Sequence, residues 1–181
     1  MNRFTINQLQ PKDFQKLEEI DKSVFPVKSQ QSNFQEIHQN NKLLSYVAHT
    51  CLAQPGTHSF PVGYISILSI NVESEIISIC VDKNYRHLGI GQALIALSLQ
   101  KLSLLGCKSV FLEVRRSNLI AQSIYSKFSF VKIGVRNKYY TDNFEDALTM
   151  SLNSLQNKEY NIFLKSKLQS LGYVIPTPDT K

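Results

Sequence analysis

The run "SEIISICV" (74–81), the glycine-bearing "YRHLGIGQALI" (85–95) and "SVFLEV" (109–114) constrain the fold more than any other part of the chain. The first is a nearly continuous series of β-branched and apolar residues, which predicts a strand buried on both faces. After the glycines, Ile90, Leu94, Leu97, Leu104 and Leu105 fall on one side of a predicted helix that ends near Gly106, a natural C-cap. A strand, a crossover helix and a second strand make a right-handed unit whose strands run parallel. The chain is therefore expected to build a mixed α/β sheet, with a strand-to-helix junction carrying two glycines at one strand end.

The remaining segments extend that unit. Residues 3–9, "RFTINQL", alternate as a strand does, and Pro11 stands where a helix start tolerates it, ahead of Phe14, Leu17, Ile20 and Val24 at helical spacing. A short polar helix is expected over 31–41. "LLSYVAHTCL" and "FPVGYISILSI" predict a hairpin with a long loop, and "NLIAQSIYSKF" (118–128) predicts a helix. "FVKIGVRN" and "DALTMSL" predict a closing strand pair joined by "KYYTDNFE". The expected result is one domain over 1–152, with about six to seven strands and helices on both sheet faces. A C-terminal extension follows over 153–181, with an amphipathic helix near 157–172 formed around Ile162, Phe163, Leu168 and Leu171, and a frayed tail "PTPDTK".

Composition narrows the function. The 181 residues suit a single core, and "MNRFTINQLQ" has no apolar segment of a secretory leader. Apolar runs fall far short of the ~20 residues of a membrane helix. Cys51, Cys80 and Cys107 are scattered and odd in number, which fits a reducing cytoplasm. His38, His49, His58 and His87 show no metal-ligand spacing, so no metal is expected. The net charge of +6 is compatible with an anionic ligand such as a phosphorylated cofactor or RNA, and equally with a solvated basic surface. No cluster of five basic residues marks a DNA-binding module.

The glycine junction has a physical meaning of its own. A helix start leaves about four N–H groups unpaired and carries roughly half a positive charge. Glycines admit positive φ and close approach, so such a junction can hold phosphate through main-chain amides. The dinucleotide pattern G-x-G-x-x-G fails because its third glycine is Leu94, and the P-loop pattern is absent. An ordinary tight turn is the competing reading.

Arg86-x-x-Gly89-x-Gly91, between a buried strand and a helix, resembles the acetyl-coenzyme A loop of the GNAT acetyltransferases. Residues 112–150 resemble the ribosomal-protein-alanine (RimI-type) N-acetyltransferases almost segment by segment. The matching residues include Glu113-Val-Arg115, Ser117-Asn118, Ala121, Tyr125, Phe130, Gly134, Arg136, Tyr139-Tyr140, Glu145-Asp146-Ala147 and Met150. The resemblance implies that the amides of His87, Leu88, Gly89, Ile90, Gly91 and Gln92, with Arg86, hold the pyrophosphate of acetyl-CoA. It implies that the backbone of Ile79, Cys80 and Val81 pairs with pantetheine and polarises the thioester carbonyl. Asn118 caps the following helix and, by the resemblance, touches the coenzyme.

Glu113 stands in a strand otherwise apolar, where partial desolvation raises a carboxylate toward neutrality and suits it to act as a base. A salt bridge to Arg115 is the structural alternative. Tyr125, a phenol with a reference pKa of about 10, is protonated at pH 7 and can donate to a departing thiolate. Arg136, Tyr139, Tyr140, Glu145 and Asp146 fall where the resemblance places the acceptor peptide, and the two acids would suit a cationic one. Ser129 replaces the usual glycine before Phe130, which should cost stability at a helix C-cap. The implied activity is acetyl transfer in a ternary complex to a protein N-terminus, with an alanine-starting small-subunit ribosomal protein as acceptor. Lysine or small-amine acetylation, and a non-catalytic coenzyme-binding module, are the alternatives.

Overall fold

In the computed structural model, residues 4–25, 31–50 and 59–173 are described. The chain runs β1 (Phe4–Gln8), a 3-10 turn at Pro11–Asp13, α1 (Phe14–Val24), α2 (Phe34–Gln39), β2 (Leu43–Thr50), β3 (Pro61–Ile70) and β4 (Glu73–Val81). It continues through a second 3-10 turn at Lys83–Tyr85, α3 (Ile90–Leu104), β5 (Ser109–Arg115), α4 (Leu119–Lys127), β6 (Val131–Arg136), β7 (Ala147–Leu152) and α5 (Lys158–Ser170). The element order read from the sequence is the one observed. The 51–58 loop with Cys51 and His58 and the "PTPDTK" tail lie outside the described residues.

The seven strands form one sheet in the order β1-β2-β3-β4-β5-β7-β6. The β4–β5 pair is parallel and its neighbours are antiparallel. The closing pair is inverted in space, with β7 inserted between β5 and β6. On one face α1 and α2 bury Leu17, Ile20 and Phe34 against Val47, Tyr64 and Cys80. On the other, α3, α4 and α5 cover Ile65, Ile67, Val110 and Leu112. Among the described residues no helix is long and apolar enough to cross a membrane.

Three expectations from periodicity need correction. Strand β4 is not buried on both faces: its register against β3 slips between Ser66 and Ile67, leaving Ile77 as a bulge that is 55% exposed. An inserted residue of this kind flips the faces beyond it. The α3 stripe stops before Leu104 and Leu105, which lie in the solvent, whereas Ser98 and Gln100 are buried. That helix is enclosed almost all round, so apolar spacing alone could not select its inward face. In α5 the buried residues are Tyr160, Leu164 and Leu168, an i, i+4, i+8 stripe, while Ile162 is 67% exposed.

Ser129 bears out the expected C-cap. Its φ is +62°, and the Phe130 amide donates to the Tyr125 carbonyl at 3.1 Å, closing the helix end. A left-handed L-residue costs about 1–2 kcal/mol, and a glycine returns about 0.4–1 kcal/mol through unfolded-state entropy. Ser129→Gly should thus raise stability by about 0.5 kcal/mol. A urea midpoint equal to or below that of the parent chain would refute this.

Candidate active site

The site begins where two parallel strands part. The β4–β5 ladder pairs Glu73 with Ser109 and ends at Ile76 with Leu112. Beyond that pair β4 continues along β3 to Val81, while β5 continues along β7 to Arg115. The residues Ile77–Val81 therefore have backbone edges facing a wedge rather than a neighbouring strand. Such an edge offers main-chain donors and acceptors to an extended amide-bearing ligand. The backbone of Ile79, Cys80 and Val81 lines this wedge.

At the open end of β4 the chain turns into α3. Asp82 accepts from the Asn84 amide at 2.8 Å, and Arg86 Nε donates to the Val81 carbonyl at 3.2 Å. Arg86 thus folds back onto the strand end. His87 and Gly89 adopt left-handed φ of 63° and 82°. Gly89 is the N-cap of α3 and has no side chain to cap it, so the first-turn amides are left for a ligand. The residues present fit a pyrophosphate at this loop and a pantetheine arm in the wedge.

Three charged groups stand at the wedge mouth. Glu113 Oε1 accepts from Arg136 Nη1 at 3.0 Å, with the Glu113 side chain 15% exposed. The ion-pair partner is therefore Arg136, across the β7 strand, and not Arg115. Glu75, next to the last β4–β5 pair, hydrogen-bonds Glu113; burial first and the Glu113 carboxyl second raise its pKa to about 7, while Arg136 pulls it down. The guanidinium of Arg136 lies over the Tyr139 ring, 4.5 Å from its centre. Glu75 was missed from sequence because it stands at the polar start of its strand, two residues after Glu73 and beside Ser74.

Tyr125 is 6% exposed on α4, its ring set edge-on to Phe130 at 5.8 Å, and burial raises the phenol pKa. It is a protonated hydroxyl at any ordinary pH. Asn118 caps α4, its Oδ1 accepting from the Ala121 amide at 3.1 Å. Cys80 points to the α1–α2 side, and burial raises its thiol to about 12, which makes it packing and not a nucleophile.

The β6–β7 loop carries the other residues expected to meet an acceptor. Tyr139 and Tyr140 pack edge-to-face at 5.1 Å, and Arg115 covers Tyr140 at 3.8 Å. Glu145 accepts from the Ser117 amide at 2.7 Å and pairs with Arg115 at 3.2 Å; hydrogen bonds from Ser117 foremost hold its pKa down at about 2. Asp146 accepts from the Lys138 amide at 3.0 Å and pairs with Arg116 at 3.4 Å. These acids are engaged within the loop, bracing it over the wedge, which leaves the tyrosines and Arg136 nearest Glu113.

Beneath the wedge lies a buried polar cluster that the sequence did not reveal. Tyr64 donates its hydroxyl proton to Asp21 and lies 2.9 Å from both Ser78 Oγ and Ser32 Oγ. The Ser32 amide donates to Asp21 at 2.6 Å, so the end of α1 and the approach to α2 are pinned to β3 and β4.

Residues 14–130 match the family model described as the acetyltransferase (GNAT) family. The chain belongs to that family. A Bacillus subtilis protein with the provisional name ribosomal protein bS18-alanine N-acetyltransferase is 33% identical over 109 residues, 56% of this chain and 72% of the relative. An N-alpha-acetyltransferase of Sulfurisphaera tokodaii is 39% identical over 80 residues, 44% of this chain and 47% of that relative. The solved ribosomal-protein-S18-alanine N-acetyltransferase from Escherichia coli superposes with a TM-score of 0.67 at 25% identity, covering 82% of this chain and 92% of that one. The acetyltransferase family uses acetyl-CoA. This acetyltransferase has the Glu75 and Glu113 carboxyls where β4 and β5 part.

Proposed function

We propose that this N-acetyltransferase transfers the acetyl group of acetyl-CoA to the N-terminal α-amine of a protein. The acceptor we infer is a ribosomal protein starting with alanine. The observation that carries the reading is the Glu75–Glu113 pair beside Arg136 at the wedge mouth. An α-amine has a pKa near 7.7–8.0, against about 10.4 for lysine, so the Glu75 carboxyl, raised to about 7, is matched to the former. The similarity to N-alpha- and ribosomal-protein-alanine acetyltransferases supports the same choice. The unpaired thiols of Cys80 and Cys107 accord with a reducing cytoplasm.

The chain's residues divide the work. Acetyl-CoA supplies an activated thioester. The amides of 87–92 fix its phosphates, and the free β4 edge at Ile79–Val81 orients the acyl carbonyl and stabilises negative charge on its oxygen. The amine nitrogen attacks the carbonyl carbon as the carboxylate pair takes the amine proton. The carbon–sulfur bond breaks while Tyr125 donates a proton to the departing sulfur. Burial raises the phenol, so Tyr125 carries its proton when the thiolate departs. Arg136 and the Tyr139–Tyr140 pair border the path of the acceptor.

Transfer from labelled acetyl-CoA to two peptides tests the acceptor. A peptide with free N-terminal alanine should be acetylated, and one with a blocked N-terminus and an internal lysine should not. Transfer to the lysine peptide alone, or to neither, would overturn the α-amine assignment.

The pair also fixes a pH dependence. A base must be deprotonated, so kcat/KM should fall as pH drops through about 7, the value to which Glu75 is raised. Arg136 lowers that value, and Arg136→Ala should move the acidic limb to higher pH. Titration of the peptide amine is common to both profiles and cancels in the comparison. An unshifted limb would remove the pair from the rate equation.

A further inference from the structure

Helix α5 lies antiparallel along α3, outside the span of the family model. Its near end is tied down: Ser103 Oγ donates to the Leu155 carbonyl at 3.0 Å, Gln156 Nε2 donates to the Cys107 carbonyl at 2.6 Å, and Tyr160 donates to the Phe128 carbonyl at 2.7 Å. Its far end reaches the glycine loop. A Cβ at position 89 would stand 2.7 Å from Leu171 Cδ2, so the leucine side chain rests against Gly89 itself. The next residues continue to β1, where the buried Tyr173 hydroxyl donates to the Ile6 carbonyl at 3.3 Å. Between them opens a shallow cleft of about 460 Å³, walled by His87, Leu88, Gly89 and Gln92 on one side and Ser170–Gly172 on the other.

We propose that Leu171, held by the Ser170–Tyr173 turn, is a positioning residue for the coenzyme loop: it braces Gly89 so that the α3 amides meet pyrophosphate in a fixed geometry. The loop needs a brace. His87 and Gly89 are both left-handed, only Leu88 separates them, and a glycine N-cap makes no side-chain bond. Such a turn has many accessible conformations, and each must be given up when phosphate binds. An apolar side chain seated on Gly89 removes alternatives beforehand, and it can do so only because position 89 has no side chain. The brace thus acts on coenzyme affinity, with the proton-transfer groups at the wedge mouth untouched. The C-terminal extension becomes a working part of the coenzyme site. The inference rests on the acetyl-CoA reading of the loop.

Calorimetric titration of the full-length enzyme with coenzyme A, together with steady-state kinetics, tests it. Leu171→Ala should weaken coenzyme A binding by roughly threefold to tenfold, raise KM for acetyl-CoA by the same factor and leave kcat unchanged. Leu171→Met should restore most of the affinity. Tyr160→Phe loses a hydrogen bond at the other end of α5 and should lower the unfolding midpoint without changing the affinity. Should Leu171→Ala fail to fold, Leu171→Val provides the same comparison in milder form. Binding by Leu171→Ala within twofold of the parent, with only the midpoint lowered, would reduce Leu171 to packing and overturn the proposal. If the parent enzyme does not bind coenzyme A, the reading of the loop itself fails and the brace falls with it. A parent that binds beside an unaffected variant overturns the brace alone.

Discussion

Glu113→Gln should lower kcat by about a hundredfold or more, within the range that a positioned general base supplies. Coenzyme A affinity should stay within about twofold, because Glu113 stands at the acceptor end of the wedge and the phosphates bind at the α3 end. The glutamine keeps the shape and a hydrogen bond, and it cannot take a proton. The substitution also relieves Glu75, whose raised pKa depends partly on its neighbour, so Glu75 becomes a more fully ionised residual base. Glu75→Gln in the same chain should therefore remove activity that survives the single change. The effects should not add, since the two carboxyls are direct neighbours. Single-turnover measurements separate chemistry from release. A rate within threefold of the parent for the double substitution would exclude this pair as the proton acceptor.

A chain ending at Leu152 should not fold cooperatively. The excised residues include Leu155, Leu164 and Leu168, all fully buried, with Tyr160 and Tyr173 nearly so. At about 1.5–3 kcal/mol for each large side chain returned to water, the loss is on the order of 10 kcal/mol before the uncovered surface of α3 is counted. That matches the whole stability of an ordinary domain, about 5–15 kcal/mol. The boundary at 152, natural from the compact family core, thus divides one hydrophobic core and does not separate a core from an appendage. Calorimetry would decide it: a single heat-absorption peak from the shortened chain, near that of the full one, would show that α5 is dispensable.

Much of the molecule could be read from residues alone because its determinants are local. The βαβ unit, the helix ends at Gly106 and Asn118 and the strained Ser129 depend on neighbours within a few positions, where spacing and side-chain chemistry govern the backbone. The glycine loop is of the same kind, as two glycines after a strand announce an exposed helix start. Glu113 was legible too, since a carboxylate in an apolar strand violates the local pattern. Glu75 sits in the polar start of β4 beside Glu73 and Ser74, and its meaning appeared only when β4 and β5 came together.

The partners depended on contacts distant in sequence. Arg136 takes Glu113 because β7 lies between β5 and β6, an insertion that sequence order does not reveal. Glu145 and Asp146 are engaged within the loop because it folds back onto Arg115, Arg116 and the Ser117 amide. The bulge at Ile77 places Glu75, Ser78 and Cys80 on one face despite their odd and even numbers, which strict alternation forbids. Leu171 meets Gly89 only because α5 packs antiparallel on α3. The sequence by itself determined the elements, the glycine loop and the place of Glu113 as candidate base, since each rests on local backbone chemistry. The tertiary structure alone decided which charges pair, which face each strand turns to the wedge and what rests on the loop, because those energies arise between residues brought together by folding.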